Sequence, residues 1–145
     1  MSKTKTYDWD KQIKKVTKYS NKLGYEICYK KLPQGISYID FNIESIMINR
    51  NLTKERKLYT ILHELGHHII HNKKVKKYNK TLGYQYKKFS KRSIVYKITE
   101  IEEELEAWKQ GYKLSKKLGL KINRSNFETY KASLISTYIV HYKRN

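Results

Sequence analysis

One cysteine, Cys28, stands in the whole 145-residue chain, which excludes an internal disulfide. Its place in a strand-like stretch reads as a buried, inert thiol. No apolar run approaches the roughly 20 residues that a membrane-spanning helix needs. The opening stretch from Met1 to Asp10 has no apolar segment of the secretory kind either. These absences together lead to the expectation of a cytoplasmic protein with no membrane contact. An internal repeat and a domain linker are also missing, so the expectation is a single domain, 1–145, with room for one hydrophobic core.

Arginine is scarce in a chain of strong positive charge. The formal net charge is +19 from 32 basic and 13 acidic residues, yet only Arg50, Arg56, Arg92, Arg124 and Arg144 are arginine. Lysine, asparagine, tyrosine and isoleucine are abundant together, the usage that A+T-rich coding produces by default. Arginine is the preferred residue for bidentate phosphate and base contacts, so a lysine surplus is the weaker form of a nucleic-acid signal. Non-specific nucleic-acid binding through this basic surface stays as a rival function. Its natural carrier is the segment Asn72–Ser93, which has no acidic residue and holds Tyr78, Tyr84, Tyr86 and Phe89. The same segment reads as a long, partly irregular connection.

Hydrophobic residues make up 39% of the chain and charged ones 31%, a folding composition. Ile13, Val16, Tyr19 and Leu23 recur at helical spacing between Asp8 and Leu23, with Gly24 as a stop. Tyr25–Tyr29, Ile36–Phe41 and Ile43–Ile48 read as short strands of an antiparallel sheet, Ile46 and Ile48 sharing one face. Thr53 is a candidate N-cap for a helix carrying Leu58, Ile61, Leu62, Leu65 and Ile69 as its apolar stripe. Thr99–Glu102 and Ser125–Glu128 read as capping boxes opening two more helices. The first of these carries Ile101, Leu105, Trp108 and Tyr112 as its core stripe, the second Phe127, Tyr130, Leu134 and Tyr138. The predicted fold class is α+β, a small antiparallel sheet packed with about four helices.

Four of the five histidines fall between His63 and His71, and His63, Glu64 and His67 form an H-E-x-x-H pattern. On a helix, positions i and i+4 share a face, so His63 and His67 can offer two imidazoles to one metal ion, with Glu64 beside them as a proton acceptor. Neither Lys nor Arg occurs from Leu58 to Asn72. Long cations ordinarily reach solvent from exposed helix faces, so this helix is expected to be covered on more than one side. His71 lies roughly 12 Å along the axis from His63, too far to share the ion. The longer pattern with a glycine and a third histidine fails at Ile70 and Lys73. His68 and His71 are therefore bystanders.

A catalytic zinc needs a third protein ligand and an open position. The acidic run Glu100, Glu102, Glu103, Glu104, Glu106 is the reservoir, although carboxylates near a helix start also serve the macrodipole. With the stripe of Ile101, Leu105, Trp108 and Tyr112 as the buried centre, Glu104 lies on its flank and Glu103 and Glu106 point elsewhere. Glu104 is the favoured ligand, with Glu103 or Glu106 as the alternates.

The stretch Leu62-His63-Glu64-Leu65-Gly66-His67, preceded by strands and followed by Glu104-Leu105-Glu106-Ala107 on a later helix, resembles the ImmA/IrrE-like metallopeptidases. These are compact gluzincin-type zinc enzymes common on phage and other mobile elements. The resemblance covers about Leu23–Ala107, and the residues after it, Trp108-Lys109-Gln110-Gly111, depart from the small and aliphatic continuation usual in the family. It implies a zincin-like α+β domain with the motif on a central helix, Zn²⁺ held by His63, His67 and Glu104, Glu64 as catalytic base, and a protein substrate of the repressor or regulator kind. It also points to a bacterial host cell or a phage as the source. The expected function is a zinc-dependent metalloendopeptidase, with a peptide lying along an exposed strand edge such as that of Ile43–Ile48. A regulatory module with a structural zinc and no hydrolysis is the other rival.

Overall fold

The computed structural model describes residues 6–73 and 90–144. The greater part of the basic connection expected over Asn72–Ser93, residues 74–89, lies outside them. The elements in chain order are α1 (Trp9–Lys22), β1 (Glu26–Lys30), β2 (Tyr38–Asp40), β3 (Ser45–Asn49), α2 (Lys54–Lys73), α3 (Ile94–Lys117) and α4 (Arg124–Arg144). The class is α+β, as the sequence patterns imply. Among the described residues no helix is long and apolar enough to cross a membrane.

Helix α1 starts where the Asp8 carboxylate accepts a hydrogen bond from the Lys11 N–H, and ends just before Gly24, whose φ of 92° turns the chain back. The strands then run in the spatial order β1-β3-β2. β2 and β3 are antiparallel, joined by a turn in which the Asp40 carboxylate accepts from the Asn42 N–H at 2.9 Å. β1 pairs with β3 in parallel, Ile27 opposite Ile46 and Tyr29 opposite Ile48. The sheet is thus mixed and not wholly antiparallel, because the chain crosses over through β2 before β3 enters between its two neighbours. Ile46 and Ile48 are both fully buried in the main core cluster with Leu58, Ile61, Leu62 and Leu65 of α2.

Helix α2 opens on Thr53, whose hydroxyl accepts from the Arg56 N–H, and every residue from Leu58 to Gly66 is buried. Coverage on all sides accounts for the missing lysines from Leu58 to Gly66, whereas His71 and Asn72 at the end of the lysine-free stretch are exposed. Helix α3 begins five residues before the expected capping box: Ser93 caps it by accepting from the Tyr96 N–H at 3.1 Å. Thr99 is instead buried mid-helix, its hydroxyl donating to the Val95 carbonyl. Helix α4 is likewise capped earlier, by the Asn123 side chain accepting from the Asn126 N–H.

The packing of α2 on α3 fixes everything that follows. A Cβ on Gly66 would run into the Ala107 backbone carbonyl, and one on Gly111 would come within 2.5 Å of the Leu62 carbonyl oxygen. The two helices therefore cross with backbones nearly touching, which only small residues permit. The buried face of α3 holds Ala107, Trp108, Gly111, Leu114 and Ser115, and Leu105, expected in the core, is 40% exposed.

Candidate metal centre

At that crossing α2 turns His63 and His67 toward Glu104 of α3. His63 Nε2 stands 3.0 Å from Glu104 Oε2, His67 Nε2 3.2 Å from Glu104 Oε1, and the two Nε2 atoms are 3.3 Å apart. All three side chains are largely shielded from solvent and form a group that can hold a metal ion. Ligand atoms about 2.0–2.1 Å from one tetrahedral ion lie roughly 3.3 Å from each other. The three spacings meet that requirement without rearrangement, and two imidazoles with one carboxylate suit a borderline ion such as zinc.

The rings are held by their surroundings. His63 stacks on the Trp108 indole with centroids 4.2 Å apart and planes 20° from parallel, and Trp108 is in turn edged by Phe127 and Tyr130. Its Nδ1 is buried with no hydrogen-bond partner among the described residues, so the ring is oriented by the stack and by the contact of Nε2 with Glu104. Glu64 is buried with Oε1 4.0 Å from His63 Nε2. Burial pushes its carboxyl up from the ordinary range. The His63 and His67 charges pull against that, Glu104 adds to it, and the backbone N–H of Ile39 in β2 favours the carboxylate.

Without a bound metal, Glu104 holds a proton on His67 where a cation would sit. Burial works against a charged His67, but the hydrogen bond and charge of Glu104, helped by Glu64 and Glu103, outweigh it and hold His67 up at about 9. Burial would also raise Glu104, and the hydrogen bonds from His63 and His67 reverse that and keep it well below the usual carboxylate range. A metal must displace the His67 proton at any pH below about 9. Its apparent affinity should therefore rise by up to about tenfold per pH unit between pH 6 and 8 and level off above 9. Chelator competition across that range reads the slope, and an affinity independent of pH would contradict this account of the triad.

The other sequence candidates fall elsewhere. Glu106 accepts a hydrogen bond from the Gln110 side-chain amide at 2.8 Å, and the Glu103 charge adds to the raising of His67 after those of Glu104 and Glu64. His68 bonds the Tyr25 hydroxyl at 3.0 Å and so ties α2 to the start of β1, and His71 stacks on Phe41. Tyr138 of α4, which the sequence pattern places in a core stripe, lines the cleft beside the triad. Burial and the Glu104 carboxylate that it faces both push its phenol up, so it stays protonated. With fourteen tyrosines in the chain, only the packing of α4 could pick it out.

The triad forms the floor of a cleft of about 1160 Å³. One wall is β2 with the turn before it, the other the start of α3 and the cleft face of α4. The strand expected to offer a free edge, Ile43–Ile48, is the middle strand as β3 and has both edges occupied. Hydrophobic patterning marks a strand and not its neighbours. Among the described residues, the unpaired edge beside the cleft belongs to β2.

A family model described as the IrrE N-terminal-like domain, Peptidase_M78, matches residues 20–94, more than half of the chain. The matched stretch carries His63, Glu64 and His67 and ends before Glu104, so the third member of the triad rests on the geometry. Curated proteins and solved structures give no match.

Proposed function

The chain belongs to the IrrE N-terminal-like domain family, Peptidase_M78, and from that premise we propose that it is a zinc-dependent metalloendopeptidase acting on a protein substrate. The observation that carries this reading is the convergence of His63 Nε2, His67 Nε2 and the Glu104 carboxylate within ligand spacing of one another, with the Glu64 carboxylate beside them. His63, His67 and Glu104 would hold the Zn²⁺. When bound, the ion supplies Lewis-acid chemistry, polarising a carbonyl and making a water more acidic.

The chain's own groups supply the rest. Glu64, its basicity raised by burial, accepts the proton of the attacking water and returns it to the leaving amine. The Ile39 N–H holds that carboxylate against the strand along which a peptide would lie. The free edge of β2 offers backbone groups to an extended segment, binding that does not depend on its sequence. The protonated Tyr138 phenol is a donor for a carbonyl oxygen that gains charge as water adds.

Glu64→Gln keeps the shape and removes the base. Hydrolysis of an unstructured protein such as casein should fall by about 10²–10⁴, with metal content unchanged by elemental analysis. Equal cleavage by both proteins would refute the enzyme reading. Retained metal without hydrolysis in either would leave a regulatory metal module.

A further inference from the structure

The walls of the cleft differ in charge, and the difference bears on which peptides it takes. Besides Glu64 and Glu104 of the site, Glu100 is the cleft-lining carboxylate, and it accepts a hydrogen bond from the Tyr142 hydroxyl at 2.9 Å. The cations of the same wall are not matched in that way. Lys91 and Arg92, both exposed, precede the cap of α3 and line the cleft, and neither is in an ion pair among the described residues. Lys97, one turn into the helix, lines it too and lies over the Tyr142 ring at 5.5 Å. Around them are the apolar surfaces of Ile36, Leu134 and Ile135. Low-dielectric walls concentrate the field of like charges in a cleft.

We propose that the cleft selects peptides with acidic side chains beside the scissile bond, recognised by Lys91, Arg92 and Lys97. This rests on the peptidase reading for its substrate class, but its measurement does not need hydrolysis. A general surplus of +19 would attract acidic peptides anywhere on the surface, so the claim concerns place and not charge alone. Lys14 and Lys18 provide the comparison: they are exposed on α1, beside a shallow groove that shares no residue with the cleft.

The experiment uses the full chain with Glu64→Gln, loaded with zinc, and two fluorescent peptides of one apolar sequence that differ in carrying two aspartates or two asparagines at its centre. Each exposed charge pair contributes a factor of about 1.5–5 in affinity. The aspartate peptide should therefore bind roughly tenfold tighter at low salt, with the margin shrinking as salt rises. Lys91→Glu with Arg92→Glu should abolish or invert the preference, whereas Lys14→Glu with Lys18→Glu, the same change in net charge, should leave most of it. Equal binding of the two peptides, no binding of either, or equal loss of preference in both double variants would overturn the proposal. A preference that behaves as expected in a protein whose wild type hydrolyses nothing would leave recognition of acidic peptides by the cleft standing and remove the peptidase, and with it the scissile bond; hydrolysis without charge preference would do the reverse.

Discussion

Glu104→Ala is expected to weaken binding of a divalent ion by at least about 100-fold. Residues that merely support ligands cost about 10–100-fold when changed, and a ligand should cost no less. The geometry gives Glu104 two jobs. Its oxygens face both Nε2 atoms, at 3.0 and 3.2 Å, and its hydrogen bond and charge are the main reason that His67 is held at about 9 without a bound metal. Without it the site keeps two imidazoles on one helix and loses the anion that offsets a dication. Competition with a chromophoric chelator measures the loss, and Glu103→Ala and Glu106→Ala are the comparisons. Both should stay within a few-fold of wild type, because Glu106 is engaged by Gln110 and the group at ligand spacing is His63, His67 and Glu104. Loss of metal in the Glu103 or Glu106 variant and not in Glu104→Ala would show that the triad is wrongly assigned.

The histidine pair was legible because its geometry is local. Four residues of helix place two imidazoles on one face whatever the rest of the chain does. The absence of lysine around it was legible for a similar reason, since solvent exclusion leaves its mark on every buried turn. Helical phase picks out Glu104, but against a stripe that the structure shifts. Large apolar residues, Ile101 and Leu105 among them, drew the expected core to one side. The observed contact face runs through Ala107, Trp108, Gly111 and Ser115, with Glu104 in line with it and not on its flank. A close helix crossing is lined by small residues, which carry little hydrophobic signal, so hydropathy points away from this contact.

Helix starts and strand order were less legible. A Thr or Ser three residues before a glutamate is common inside a Glu-rich helix, and Thr99 satisfies its hydroxyl on the Val95 carbonyl in place of capping anything. Ser93 and Asn123 are the caps because the chain turns there. For the sheet, alternation places Ile46 and Ile48 on one face correctly, yet says nothing of which strand is the middle one. That order is a long-range property, decided by where the crossover through β2 fits beside α2.

Gly66→Ala sets two opposed effects of known size against each other. In a helix interior, glycine costs about 1 kcal/mol relative to alanine, so propensity alone predicts a gain. At Gly66 the new methyl meets the Ala107 backbone carbonyl and not the far end of a flexible side chain. Overpacking of that kind costs about 1–3 kcal/mol, occasionally more, and an obstacle that cannot rotate away belongs at or above the upper limit. The net loss should be about 2 kcal/mol, a fall in Tm of about 4–8 °C by thermal unfolding. Metal affinity should fall with it, by about tenfold or more, because Ala107 lies one turn from Glu104 and the helices can relieve the clash only by separating. Gly111 presses on the Leu62 carbonyl across the same gap, so once Gly66→Ala has opened it, Gly111→Ala should cost less than it does alone. A double-mutant cycle that is additive, or a Tm that rises with either substitution, would mean that the crossing is looser than the structure has it and that something other than these two glycines brings Glu104 to the histidines.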